Sequence, residues 1–225
     1  AIEIDSTYSE AWHNLGYVYM ILYGDYKLAE YHYSKCLEND STIAAAYLNR
    51  GIANYHLNNF NQAITDFIDY LTKNENYKNK ELDKAYVFSG KSHLALGDTL
   101  KAVEKYKMAV ENLKESNLTP AVLKDVKDFF ISVNKFEDAI EITHLEIELT
   151  PDNNQLYVDI GNYHLLSGDT VKAIQGWERA FEHYRGNFNI AMTLKGWFES
   201  QGDYEKAQYY HDAAWEFRMN NPNLK

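Results

Sequence analysis

A single cysteine, Cys36, in 225 residues excludes an intramolecular disulfide and any thiolate-rich zinc site. The compartment stays open, because disulfide-free secreted proteins exist. Helix breakers are scarce: three prolines (Pro120, Pro151, Pro222) and 11 glycines leave most of the chain free to be helical. Basic residues are in deficit, 22 Lys and Arg against 33 Asp and Glu, for a net charge of −11. Such a balance opposes the phosphate neutralisation that drives nucleic-acid binding, and it equally disfavours anionic lipid. Long apolar runs are missing too. The uncharged stretch from Ala11 to Gly24 carries Trp12, His13, Asn14 and several tyrosines, and it falls short of the roughly 20 apolar residues that span a bilayer. No nucleic acid and no membrane insertion are therefore expected. At 45% hydrophobic and 24% charged, the chain is apolar enough to fold.

What the sequence has in abundance is self-similarity. Gly-Asp followed by Tyr or Thr occurs as Gly24-Asp25-Tyr26, Gly97-Asp98-Thr99, Gly168-Asp169-Thr170 and Gly202-Asp203-Tyr204, with degenerate copies at Asn58-Asn59-Phe60 and Asn134-Lys135-Phe136. An alanine follows each: Ala29, Ala63, Ala102, Ala139, Ala173 and Ala207, separated by 34, 39, 37, 34 and 34 residues. Upstream of each turn a bulky residue precedes a glycine by four positions, with an aromatic or His three further on. The sets are Trp12, Gly16, Tyr19; Tyr47, Gly51; Tyr86, Gly90, His93; and Tyr157, Gly161, His164. Lys127 and Lys195 replace the glycine in the fourth and sixth units, where Phe130 and Phe198 keep the aromatic. Downstream, Tyr33, Phe67, Tyr106 and Trp177 stand four residues after the alanine and continue a helical period.

These columns predict helix, tight turn, helix. Glycine ends the first helix in the left-handed conformation and aspartate caps the second. Glycine in one helix facing alanine in the next lets two backbones approach closely. Six breaks at this spacing exclude a continuous coiled coil.

Trp12-x2-Leu15-Gly16-x2-Tyr19, followed by Ala29, Tyr33 and Leu37, resembles the tetratricopeptide repeat. The likeness runs from about residue 7 to 220, with one extra residue near Tyr23 and longer joints at Lys73 to Leu82 and Lys114 to Thr119. The pentatricopeptide repeat, which reads RNA, would be basic and would lack the Gly-Asp turn. The resemblance implies an all-α, right-handed superhelical solenoid of antiparallel helix pairs. Its units are expected at about 9–43, 44–82, 83–119, 120–153, 154–187 and 188–221. Residues 1–8 are expected to be the end of a preceding repeat, since Ala1 to Ser6 align with Cys36 to Ser41 at an offset of 35.

In such a solenoid the first helices line the concave side. The expected groove lies on the face away from Trp12 and Gly16, and its candidate residues are His13, Tyr17, Met20, Leu48, Ile52, Tyr55, Lys84 and Lys91. Apolar and aromatic side chains beside two lysines suit a peptide with apolar anchors and an acidic group. The alternative for the aliphatic members is packing between neighbouring first helices. The resemblance also brings up the carboxylate clamp of heat-shock co-chaperones. Asn49 and Lys84 occupy clamp-like places, but His13, Tyr17 and Phe88 stand where Lys, Asn and Arg are needed, so a full clamp is rejected.

No catalytic or cofactor motif accompanies the repeat. The eight histidines show neither His-x3-His nor His-Glu-x2-His spacing, and there is no phosphate loop, nucleophile elbow or dinucleotide fingerprint. His93 and His164 share the Tyr19 column and read as core, as does Cys36 in an alanine-like column. The expectation is a non-enzymatic, cofactor-free scaffold that binds a peptide segment of another protein. The alternatives are a peptide-responsive array attached to a further domain, or a spacer that self-associates through exposed repeat ends.

Overall fold

Each Gly-Asp pair and each of its two degenerate copies breaks the chain between two helices. The computed structural model describes residues 8–74, 81–113 and 120–221. Of the expected remnant of a preceding repeat at 1–8, residues 1–7 lie outside the described residues, as do most of the two long joints. The helices are α1 (Ser9–Val18), α2 (Tyr26–Asn39), α3 (Ala44–His56), α4 (Phe60–Lys73), α5 (Leu82–Ala95), α6 (Thr99–Leu113), α7 (Pro120–Ser132), α8 (Phe136–Leu149), α9 (Asn154–Leu166), α10 (Thr170–His183), α11 (Phe188–Ser200) and α12 (Tyr204–Asn220). No strand occurs among the described residues. The fold is all-α, a solenoid of antiparallel helix pairs.

The turns work as their residue types dictate. Gly24, Gly97, Gly168 and Gly202 have φ between 63° and 87°, a region open to glycine at no steric cost. Asn58 and Asn134 take the same left-handed conformation in the degenerate copies, which asparagine tolerates best among residues with a side chain. Asp25, Asp98, Asp169 and Asp203 each accept a hydrogen bond from the backbone N–H three residues on, at 3.0–3.1 Å. The extra residue of the first unit is absorbed locally. Tyr19–Tyr23 forms a π-helical turn, so the columns of Trp12 and Ala29 stay in register across it.

Contacts divide the chain into two compact units, Ala1–Val122 and Leu123–Lys225. Within the first, Ala29, Tyr33, Cys36, Ala46 and Ala53 form one core cluster, and Ala63, Phe67, Tyr70, Ala85 and Leu48 another. Within the second, Trp177, Phe181, Ala191, Leu194, Phe198 and Ala207 share a core.

The glycine column has a steric cause. A Cβ on Gly16 would stand 2.9 Å from the Tyr33 ring, and one on Gly51 would stand 2.6 Å from the Phe67 ring. In the first, second, third and fifth units the ring four residues after the alanine thus stands against the backbone of its first helix. Where the fourth unit breaks this rule it does so twice. Thr143 stands in the ring's place, and Lys127 stands in glycine's place, buried, with its ammonium paired to Glu146. The smaller partner makes room for the larger one.

Ala63 and Ala173 are fully buried at these helix crossings. Enlarging either to leucine is expected to overpack the crossing by roughly 1–3 kcal/mol, read as a lower urea midpoint. The same change at exposed Glu137 should stay within about 0.5 kcal/mol of wild type.

Candidate functional site

In the unit Ala1–Val122 the first helices α1, α3 and α5 are tied to one another by side chains that include several of the groove candidates. The Asn49 amide Nδ2 lies 3.2 Å from His13 Nε2, joining α1 to α3. Tyr55 meets Phe88 edge to face at 5.3 Å, joining α3 to α5. Lys91 Nζ sits 5.1 Å above the Phe88 ring, a distance at which the ring's negative face attracts the ammonium. The clamp-like places are therefore occupied by internal contacts: Asn49 is engaged by His13, and Phe88 by Tyr55.

The eight candidate residues divide by exposure. Tyr17 is open, at 50% exposure. Lys84 is also exposed, and its ammonium pairs with Glu81 three residues before it. His13, Ile52, Tyr55 and Lys91 are half-buried. Leu48 and Met20, expected on the groove, are instead buried in the core. Leu48 is 1% exposed and packs with Ala63, Phe67 and Ala85. Met20 is 8% exposed and packs with Ala29 and Tyr33. The reason is geometric: a first helix must bury one flank against its own second helix and another against the next first helix. The Leu48 position serves the latter, as Val87 in the same column confirms at 2% exposure.

Ile21, His56 and Leu94, which the expected groove face also carries, are open. The π-helical turn holds Ile21 at 56% exposure beside Tyr17, and Leu94 at 39% opens on α5. His56 is exposed and stacks on Tyr26 at 4.2 Å. Burial, and secondly the nearby Lys91 charge, lower its pKa below the ordinary imidazole value. The one-residue insertion near Tyr23 was the sequence signal for this patch, since it lengthens the exposed end of the first helix.

Beneath the face, a polar network fixes α3 on α4. Asp66, fully buried, accepts hydrogen bonds from Arg50 Nη2 at 2.6 Å, Arg50 Nε at 3.2 Å and Asn54 Nδ2 at 3.0 Å. Arg50 also reaches Ser34 Oγ of α2 at 3.3 Å, so one guanidinium pins three helices.

Cys36 is buried, and burial pushes its thiol up to about 11, where the thiolate is not populated at neutral pH. Among the described residues no group of three or more His, Cys, Asp or Glu is placed to hold a metal ion. Among the same residues no helix is long and apolar enough to cross a membrane. His93 is buried in its column. His164 is half-buried and lines a crevice of the second unit.

No protein-family model matches the chain, and no curated protein matches it either. Solved structures do. MamA protein is similar with a TM-score of 0.58 at 17% identity, covering 79% of this chain and 92% of that one. A tetratricopeptide repeat protein from Parabacteroides merdae gives 0.53 at 16% identity, covering 96% and 82%. A chain of the APC/C hetero-tetramer Cut9-Hcn1 gives 0.53 at 14% identity, covering 97% of this chain and 42% of that one. The likeness is one of fold, and the fold is that of the tetratricopeptide repeat.

Proposed function

We propose that the chain is a non-enzymatic interaction scaffold, and that the face made by α1, α3 and α5 binds a peptide segment of a partner protein carrying apolar anchors and an acidic group. What supports this reading is the exposure of Tyr17 and Ile21, 50% and 56%, at the end of a first helix that His13 and Asn49 tie to α3, whose Tyr55 in turn meets Phe88 under the Lys91 ammonium. Aromatic anchors that a partner desolvates supply most of the energy of such interfaces, and the surrounding charges supply approach rate and orientation. Among proteins of this fold, the APC/C assembly Cut9-Hcn1 was solved as a hetero-tetramer.

Replacing Tyr17 and Tyr55 together by alanine is expected to weaken partner binding by more than about 1 kcal/mol per residue. Reversing Lys84 and Lys91 to glutamate should weaken it less and flatten its salt dependence. The check is affinity capture from the source organism with the wild type and both double variants at matched helicity. Equal recovery of the same proteins by all three would contradict the proposal and favour a spacer or self-associating array.

A further inference from the structure

The second unit contains a crevice with no counterpart among the groove residues. It encloses about 480 Å³ between α8, α9 and α10, a size suited to a small molecule. Tyr157, Ile160 and His164 of α9, His144 and Ile147 of α8, and Gly176 of α10 are among its walls.

The repeat explains why this space is open. The residue three positions after each column alanine is His32, Asp66, Lys105, Ile142, Gly176 and Tyr210 in successive units. Only at Gly176 does it have no side chain. In the first unit the equivalent His32 ring is sandwiched by its own chain. It stacks on Trp12 at 5.5 Å and 29° and on Tyr19 at 5.1 Å and 10°. In the sixth unit Tyr210 likewise stacks on Phe198, at 5.6 Å and 11°. The fifth-unit residues in the columns of Trp12 and Tyr19 are Tyr157 and His164, and both line the crevice. Residues seven apart lie about 10.5 Å apart along a helix axis, room for one ring stacked between two others. No ring comes from position 176, because Gly176 packs directly on the α9 backbone: a Cβ there would stand 2.9 Å from Gly161 Cα. Tyr31, which closes the first-unit sandwich edge-on to Trp12 at 6.3 Å, is replaced by Gln175.

The walls also carry charge. Lys172 and Arg179 line the crevice with Glu182 opposing them, an excess of one positive charge in a chain of net −11. Lys172 is shared with Asp169 at 3.1 Å. Arg179 has no hydrogen bond or ion pair among the described residues. Tyr157 is held in place by His183, which stacks on it at 4.0 Å and is itself fixed by Asn154 at 2.7 Å.

We infer that this crevice is a binding site for a small planar aromatic carboxylate, whose ring takes the place between Tyr157 and His164 that His32 fills in the first unit, and whose carboxylate meets Arg179 and Lys172. The probe is 2-naphthoate, titrated into the whole chain and followed by amide chemical shifts. Its comparators are 2-naphthalenemethanol, flat but neutral, and cyclohexanecarboxylate, anionic but not aromatic. Saturable 2-naphthoate binding at about 1 mM or tighter is expected, with shifts confined to α8, α9 and α10. Both comparators should bind roughly five- to tenfold more weakly, given the modest strength of exposed charge pairs and of ring stacking. The exposed double variant Arg179→Gln with Lys172→Gln should bind the acid no better than the alcohol. His164→Val should erase the preference for the aromatic acid over cyclohexanecarboxylate. Tyr17→Ala with Tyr55→Ala should leave the titration unchanged. No saturation by 10 mM, comparators bound as tightly as 2-naphthoate, or full affinity in the Arg179/Lys172 variant would each overturn the assignment.

Discussion

Arg50→Ala is expected to destabilise the unit Ala1–Val122 by about 3–5 kcal/mol at pH 7, because it strands a carboxylate that has no access to water. Asp66 is 0% exposed, and Arg50 supplies both its closest contact and its only ion pair among the described residues. The amides of Asn54 and Gln62 would remain, at 3.0 Å and 3.5 Å. They cannot neutralise the charge. Burial already raises the Asp66 carboxyl above its ordinary pKa, with the Arg50 hydrogen bonds and charge acting against that rise. A carboxyl whose folded pKa is raised binds more protons in the folded than in the unfolded state. Stability from this group is therefore greatest at low pH and declines as pH climbs through the carboxylate range. Without Arg50 the rise in pKa grows, so the deficit of Arg50→Ala should shrink as pH is lowered from 7 to about 4.5. Replacing the pair by Arg50→Met with Asp66→Leu should recover most of the loss. Urea midpoints at the two pH values provide the check, and a deficit below 1 kcal/mol at pH 7 would contradict this account of the network.

The second large effect is expected at the ring that lies on the glycine column. Phe67 is completely buried and is the ring against which a Cβ on Gly51 would collide at 2.6 Å. Truncating it in Phe67→Ala should cost about 3–5 kcal/mol, the sum of lost transfer energy and a residual cavity. Gly51→Ala alone should cost about 1–3 kcal/mol by overpacking. In the Phe67→Ala background the same Gly51→Ala change should turn neutral or stabilising, since the clash is gone and alanine is favoured over glycine within a helix by up to about 1 kcal/mol. The two changes must therefore be strongly non-additive. Additive midpoints would mean that the ring and the glycine do not meet.

The repeat columns and the turns were readable because each rests on a local rule: glycine for a left-handed φ, aspartate for a cap, alanine where helices cross. Gly24 with Asp25 and Ala63 with Phe67 are examples that needed no tertiary information. Leu48 and Met20 were misplaced because helical period says that a residue leaves the Trp12 face, but not whether it enters the seam with the next first helix. The π-helical turn at Tyr19–Tyr23 was visible only as one surplus residue. The pairing of Lys127 with Glu146 was hidden for another reason: it depends on Thr143, a departure from the ring column, being small. The crevice of the second unit was invisible for the same reason, since Gly176 is informative only once His32 and Tyr210 are seen to stack.

The central claim is that the open face of α1, α3 and α5 meets the partner. The most direct measurement is site-specific photocrosslinking in the source organism, with a benzophenone side chain at position 17 and, separately, at position 137 on the exposed side of α8. Position 17 is predicted to give a discrete adduct that competes with unlabelled wild-type chain, and position 137 none. Adducts from position 137 but not from position 17 would contradict the account.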